Sequence, residues 1–156
     1  MIEVRLAEKE AERRICLRLR WTVFVEEQNV PPSLEIDEHD AMDAVHALAL
    51  LDGVPCGAGR FVLIGHAVAR IGRMAVIDDA RGKGIGRALL LFLEEEALRR
   101  GAKRFTLNAQ VSARRFYEKA GYEVIGPVFD DADIPHVRMD RPANPEETPA
   151  RASRWP

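Results

Sequence analysis

Residues 69–76 read as a strand and residues 85–100 as a helix. Between them the chain must turn through Arg81-Gly82-Lys83-Gly84-Ile85-Gly86-Arg87. Three glycines at alternate positions leave backbone N–H groups uncovered by side chains. The helix that follows directs its unpaired N–H groups and its positive end back at the turn. Such a socket suits phosphate, and Arg81, Lys83 and Arg87 add positive charge around it. A turn of purely geometric origin is the alternative reading of the same glycines. The spacing separates the phosphate sockets. A P-loop needs Ser or Thr after Gly-Lys, and here Gly84 follows Lys83. A dinucleotide fingerprint needs G-x-G-x-x-G after the first strand of its domain, and here the glycines fall as G-x-G-x-G in mid-chain. What remains is Arg-x-x-Gly-x-Gly, carried by Arg81, Gly84 and Gly86.

The rest of the chain surrounds this turn with a mixed α/β pattern. Residues 2–6 alternate as a strand, and residues 8–25 place Ile15, Leu19, Val23 and Phe24 at helical spacing. Residues 29–33 break that pattern, and residues 34–42 read as an acidic loop. Residues 45–51, 56–64 and 67–76 are three strands, the first two joined by a hairpin turn at Asp52-Gly53-Val54-Pro55. After the long helix come a strand at 105–109, a short helix at 113–120, and strands at 122–125 and 134–139. This order predicts a mixed, mostly antiparallel sheet flanked by helices, not a regular β-α-β winding. One domain is expected over residues 1–140, with residues 141–156 a disordered tail rich in proline and charge. A length of 156 residues suits a single domain with a real core. The formal net charge of −2 argues against nucleic acid as a partner. No apolar run approaches a membrane span, and the N-terminus carries no signal-peptide pattern. Cys16 and Cys56 lie apart without metal spacing and are expected as reduced, buried thiols of a cytoplasmic protein. No metal site is expected.

After the 105–109 strand comes Ser112-Ala113-Arg114-Arg115-Phe116-Tyr117-Glu118-Lys119-Ala120-Gly121-Tyr122. With the glycine turn, the pattern Ala-x-x-Phe-Tyr-Glu-Lys-x-Gly-Tyr resembles the cofactor site of the GNAT N-acetyltransferases, motif by motif and in the same order. The match runs from about residue 45 to 139. The stretch Arg20-Trp21-Thr22-Val23-Phe24-Val25-Glu26-Glu27-Gln28-Asn29-Val30-Pro31, followed by Glu35-x-Asp37-x-x-Asp40, His46 and Ile134-Pro135-His136-x-x-Met139, resembles the small bacterial ElaA-type branch. The resemblance implies a GNAT sheet splayed at the cofactor site, acetyl-CoA or coenzyme A as cofactor, and an amine as acceptor. It implies that Met74, Ala75 and Val76 pair with the pantetheine arm, and that loop amides from Gly82 through Lys83, Gly84, Ile85 and Gly86 to Arg87, beside Arg81, hold the pyrophosphate. Asn108 would sit where the sheet opens, Phe116 would pack on the pantetheine, and Lys119 would complete the cofactor site. Tyr117 matches the tyrosine that protonates the departing thiolate.

Acyl transfer to an amine needs a neutral nucleophile, a polarised thioester carbonyl and a proton for the leaving sulfur. A backbone N–H near Val76 can serve the carbonyl, and a tyrosine is a competent acid toward a thiolate. An amphipathic tyrosine packed at a sheet edge is the structural reading of Tyr117. Many relatives carry a glutamate base on the strand before the loop, whereas Ile71-Gly72-Arg73-Met74 offers none. Glu26, Glu27, Asp37, Asp40, His46 and His136 are the remaining candidates, with water a further route for the proton. The carboxylates of residues 20–40 form either a pocket for a cationic amine or a solvated acidic face. Arg20 and Arg60 are expected to pair with them and fix the loop's shape. Arg20, Phe24, Asp37, Asp40 and Arg60 also resemble the acyl-homoserine-lactone synthases, so a lactone-synthase-like acyltransferase is an alternative. A CoA-binding domain without turnover is another. The acceptor site is expected to comprise residues 20–40 with His136, in a monomer or homodimer.

Overall fold

The computed structural model describes residues 1–65 and 67–144. Ile2–Leu6 (β1), Val45–Leu51 (β2), Val54–Ile64 (β3), Val68–Val76 (β4), Arg104–Gln110 (β5), Glu123–Val124 (β6), Phe129–Asp131 (β7) and Ile134–Pro142 (β8) form one eight-stranded sheet. Its order is β1-β2-β3-β4-β5-β8-β6, with β7 paired to β8 as well. Every pairing is antiparallel except that of β4 with β5. The parallel pair follows from the crossover through Ile85–Arg99 (α4), which returns the chain to the starting end of β4, so that β5 runs beside it in the same direction on the edge opposite β3. The sheet is the mixed, mostly antiparallel one that the element order predicts.

Helices cover both faces of the sheet. Ile85, Leu89, Leu90, Leu93 and Ala97 of α4 are buried against Phe61, Ile71, Phe105 and Leu107. Helix Glu10–Arg20 (α1) lies on the opposite face, where Cys16 and Leu19 meet Leu48, Leu50 and Ala58. Both cysteines are free and buried, and burial pushes the Cys16 thiol up to about 12. β8 continues to Pro142, two residues beyond the expected end of the domain. The reason is local: the Arg141 guanidinium stacks over the Phe105 ring at 4.7 Å and meets Glu94 at 3.3 Å. The remainder of the expected tail, residues 145–156, lies outside the described residues.

The segment between α1 and β2 departs from the sequence pattern. α1 runs into a wide turn of π-helical type over Trp21–Glu27, closed by the Gln28 N–H bonding the Val23 carbonyl at 3.1 Å. The supposed acidic loop holds two four-residue helices, Pro32–Glu35 (α2) and His39–Met42 (α3). A buried charge cluster fixes them. Arg20 is 1% exposed; it donates to Glu35 Oε1 at 2.6 Å, to Asp40 Oδ1 at 2.6 Å and to the Glu35 carbonyl at 2.9 Å. Arg60 of β3 closes the cluster on Asp37 at 2.6 Å and Asp40 at 2.7 Å. The expected pairing of Arg20 and Arg60 with the acidic segment is therefore present. A buried guanidinium demands this, because removing one member of such a pair leaves an uncompensated charge in low dielectric.

Two outcomes test the cluster. Arg20→Ala should cost about 3–5 kcal/mol of unfolding free energy, read by urea denaturation at neutral pH. The acid side is the second. Arg60 holds the Asp37 carboxyl below its ordinary value of 3.8. Burial alone would raise Asp40, but the hydrogen bond and charge of Arg20 outweigh it and hold that carboxyl well below the usual carboxylate range. Both groups bind protons less tightly when folded than when unfolded. Their stabilisation is therefore complete above about pH 4 and lost as the pH falls below it. The melting temperature should drop across that range, and less steeply in Asp40→Asn.

Candidate active site

β4 and β5 hydrogen-bond only from Val68–Arg104 to Ile71–Leu107, and then part. β4 carries the cause. Between the pairs Arg60–Gly72 and Ala58–Ala75, β3 advances two residues and β4 three. The extra residue is a bulge that bends β4 away from β5. Arg73 in this bulge has φ +52, a left-handed conformation that a non-glycine residue adopts at a cost of about 1–3 kcal/mol. Its guanidinium holds the bulge in place by donating to the Glu35 carbonyl at 3.0 Å and the Leu34 carbonyl at 3.3 Å.

The parted strands enclose a cleft of about 380 Å³. Met74, Ala75 and Val76 line one wall, Asn108 and Gln110 the other, and Tyr117 and Arg81 border the end toward the glycine turn. Beyond Ile71 the edge of β4 that faces β5 pairs with no strand among the described residues. A molecule with amide groups along its length can pair there as a strand would. Helix α4 begins directly after the turn. Gly82 and Gly84 have φ +78 and +86, and Gly84 is the residue that precedes the first helical turn. Side chains other than glycine fit poorly at such angles, so the turn keeps its N–H groups bare. Gly86 packs on Phe116: a Cβ there would stand 3.4 Å from the ring. Ile85 is buried in the core, so only its backbone faces the turn. Lys83, Arg87 and Lys119 are exposed and lie outside the cleft lining.

Tyr117, in Arg114–Lys119 (α5), is 8% exposed and held edge-on between Phe116, at 4.9 Å, and Tyr122, at 5.9 Å. Burial pushes its pKa up to about 12, so the phenol keeps its proton across the neutral range. His136 of β8 also lines the cleft. Its Nδ1 lies 2.7 Å from the Ile134 carbonyl, and its ring stacks on Phe129 at 5.9 Å. The carbonyl can only accept, which places a ring proton on Nδ1, so in the neutral imidazole the lone pair is on Nε2.

The other sequence candidates separate. Asp37, Asp40 and His46 border a second groove beside α1, away from the β4–β5 cleft. Burial lowers the His46 pKa, and its Nε2 lies 3.2 Å from the Asp40 carbonyl. With Asp37 and Asp40 bound to arginine and His46 facing elsewhere, an acidic pocket for a cationic amine loses its basis at these positions. Glu26 is exposed and outside the cleft lining. Glu27 lines the cleft, yet both its oxygens are taken by the Arg81 guanidinium at 2.7 Å, which lowers its pKa. Gln28 and Gln110 join the walls by reciprocal amide hydrogen bonds at 2.7 and 3.5 Å. Glu35 and Arg73 were not among the candidates. Glu35 lines the cleft at 2% exposure, with Oε1 on Arg20 and Oε2 bonded to no protein atom. The only sequence signal for it is its place ahead of Asp37 and Asp40.

Parted strands, a bare-amide turn at a helix start and a buried tyrosine beside them occur here on the fold of the GNAT acyltransferases. The chain belongs to that family: residues 10–142 match the acetyltransferase (GNAT) domain. It is 37% identical over 135 residues to the N-acetyltransferase YjcF of Bacillus subtilis, itself uncharacterized, covering 86% of this chain and 95% of that one. Among solved structures, Escherichia coli ElaA is 28% identical with a TM-score of 0.80, over 90% of this chain and 99% of ElaA. An acyl-CoA N-acyltransferase from Pseudomonas aeruginosa is 29% identical with a TM-score of 0.78, over 90% of this chain and 98% of that one. The resemblance to the ElaA-type branch is thus borne out. No helix among the described residues is long and apolar enough to cross a membrane, and no group of potential metal ligands occurs among them.

The Glu27–Arg81 pair gives a prediction for the cofactor end. If Arg81 serves the pyrophosphate, Glu27 competes for the same guanidinium. Glu27→Gln should then tighten coenzyme A binding by about threefold or more, and Arg81→Gln should weaken it, because charge-assisted bidentate pairs are the strong ones. Calorimetric titration with coenzyme A checks both, and a Glu27→Gln protein that binds less tightly rules the competition out.

Proposed function

We propose that this enzyme transfers an acetyl group from acetyl-CoA to the amine of a small molecule by direct attack of the amine on the thioester. The observation that carries the reading is the edge of β4 beyond Ile71, unpaired among the described residues, which leads to the glycine turn at one end and lines the same cleft as Tyr117 and His136. Met74, Ala75 and Val76 would hold the pantetheine by backbone pairing, with Asn108 on the opposite wall and Phe116 against it. Amides from Gly82 to Arg87, with Arg81 and with Lys83 and Lys119 nearby, would hold the pyrophosphate. Backbone N–H groups of the same β4 stretch would polarise the thioester carbonyl.

His136 and Tyr117 supply the proton chemistry. Nε2 of His136 accepts the proton that the amine gives up as the C–N bond forms. Tyr117 donates its hydroxyl proton to sulfur as the C–S bond breaks, and solvent restores both groups to their starting states. The high pKa of Tyr117 fits this role in one respect: burial disfavours the phenolate, so the proton leaves only as the thiolate develops. Of the residues expected to act as base, His136 alone lines the cleft without a guanidinium on it.

Substitution of each group separates the roles. Tyr117→Phe should lower kcat by ~100-fold while coenzyme A affinity stays within about twofold. His136→Gln should lower kcat/KM for the amine by a similar ~100-fold, with the KM for acetyl-CoA little changed. Free-thiol release under conditions where acetyl transfer limits turnover measures both. Unaltered kcat in Tyr117→Phe would make the tyrosine a packing residue.

A further inference from the structure

Three guanidinium groups, those of Arg60, Arg70 and Arg73, line the cleft, with Arg20 buried behind them and three carboxylates, Glu35, Asp37 and Asp40, in the same cluster. Arg20 is matched to Glu35 and Asp40, and Arg60 to Asp37 and Asp40. Arg73 lies 3.4 Å from Asp37 and 4.0 Å from Glu35, both of which already serve another arginine, and its closer hydrogen bonds go to neutral carbonyls. Burial lowers its pKa, and the charges of Arg60 and Arg20 lower it further, so its cation is under-compensated where it stands. Arg70 makes no hydrogen bond or ion pair with any described residue, yet it lines the cleft. Strand register places it there. Val62 pairs with Arg70 and Arg60 with Gly72, so these four share one face, while Ala69 and Ile71 are buried in the core on the other. The remaining carboxylates on the cleft do not neutralise Arg70. Glu27 is closed on Arg81, Glu35 faces Arg20, and Asp131 belongs to β7, which borders β8 on the far side of β5.

We propose that Arg70 and Arg73 bind a carboxylate of the acceptor, so that the preferred substrates are amines that also carry a carboxyl group. The proposal deepens the acetyltransferase reading and rests on it. Guanidinium groups present paired donors that match a carboxylate's two oxygens, which a lone ammonium does not. The same charge disfavours polyamines and other purely cationic acceptors.

The test has a kinetic and a binding arm. In the kinetic arm, thiol release from acetyl-CoA is followed with L-amino acids and their C-terminal amides as matched acceptors. Converting the acid to the amide lowers the amine's pKa and leaves more of it neutral, so a preference for the acid cannot come from the nucleophile. Wild type should favour the acids by about tenfold or more in kcat/KM, and Arg70→Gln should reduce that ratio by about tenfold, mainly through KM, with Arg70→Lys between them. In the binding arm, N-acetyl amino acids and their amides are titrated by saturation-transfer NMR into protein saturated with coenzyme A. The acids should bind more tightly than the amides, and only in wild type. Equal acceptance of acids and amides, or a ratio that Arg70→Gln leaves intact, overturns the proposal. So does absence of carboxylate binding in the second arm. Carboxylate binding that depends on Arg70 without thiol release from any amine would instead sink the acetyl-transfer reading and leave the anion site standing. Thiol release without an acid preference does the reverse.

Discussion

A guanidinium at 1% exposure cannot stay charged in a protein interior without carboxylates brought to it. Arg20, the last residue of α1, therefore dictates the path of the chain for the next twenty residues. Glu35 and Asp40 must return to it, and α2 and α3 are the two short turns that bring them. Asp37 and Asp40 then bind Arg60, which ties the same segment to β3, and the carbonyls of Leu34 and Glu35 bind Arg73 on β4. One buried charge thus links the helical layer to the bulged strand. The bulge parts β4 from β5, and the parting makes the cleft. Seen this way, the charge cluster is scaffold first, and Arg73 and Arg70 are the arginines that carry its edge onto the cleft.

The two walls of the cleft contribute different chemistry. The β4 wall offers backbone groups and ends in the bare amides before α4, a combination suited to a long flexible molecule with a phosphate at one end. The α5 and β8 wall offers side chains, one protonated phenol and one imidazole whose tautomer is set by the Ile134 carbonyl. Strand pairing holds the first wall, and aromatic packing among Phe116, Tyr117 and Tyr122 holds the second.

Where a signal is local, the sequence carries it. Val45–Leu51 matches its expected span because a short, nearly continuous apolar run ends at the Asp52-Gly53 turn. The glycine turn and the Phe116-Tyr117 motif are legible because glycine geometry and residue type carry the chemistry directly. The wide turn at Trp21–Glu27 is invisible, since one extra residue per turn leaves no mark on composition and Val23 and Phe24 still fall at helical spacing. α2 and α3, four residues each, are shorter than any periodicity can register. β7 escapes notice because its turn uses Ala132 and Asp133 at positive φ where glycine or asparagine is the usual signal. In the site, the sign of the charges in residues 34–42 and their pairing with Arg20 and Arg60 are readable, but which carboxylate each arginine takes is not. Arg20 with Asp40, and Arg73 with Glu35, meet only through tertiary packing across 20 and 38 positions. That is why Asp37 and Asp40 read either as a pocket for a cation or as a solvated acidic face tied to Arg20 and Arg60, and the structure shows them engaged by those arginines.

The wide turn also sets the phase of everything that follows it. In an α-helix each residue rotates the chain by about 100°, so residues 23 and 28 would point roughly 140° apart. The π-type bond from the Gln28 N–H to the Val23 carbonyl stacks them instead. Val23, Glu27 and Gln28 consequently share the side that borders the cleft, while Trp21 is left at 39% exposure on the outside. Glu27 reaches Arg81 and Gln28 reaches Gln110 from that one side. The segment thus behaves as a vernier: its length in residues, more than the identity of any of them, decides whether the first helix presents these two side chains to the cleft or to water.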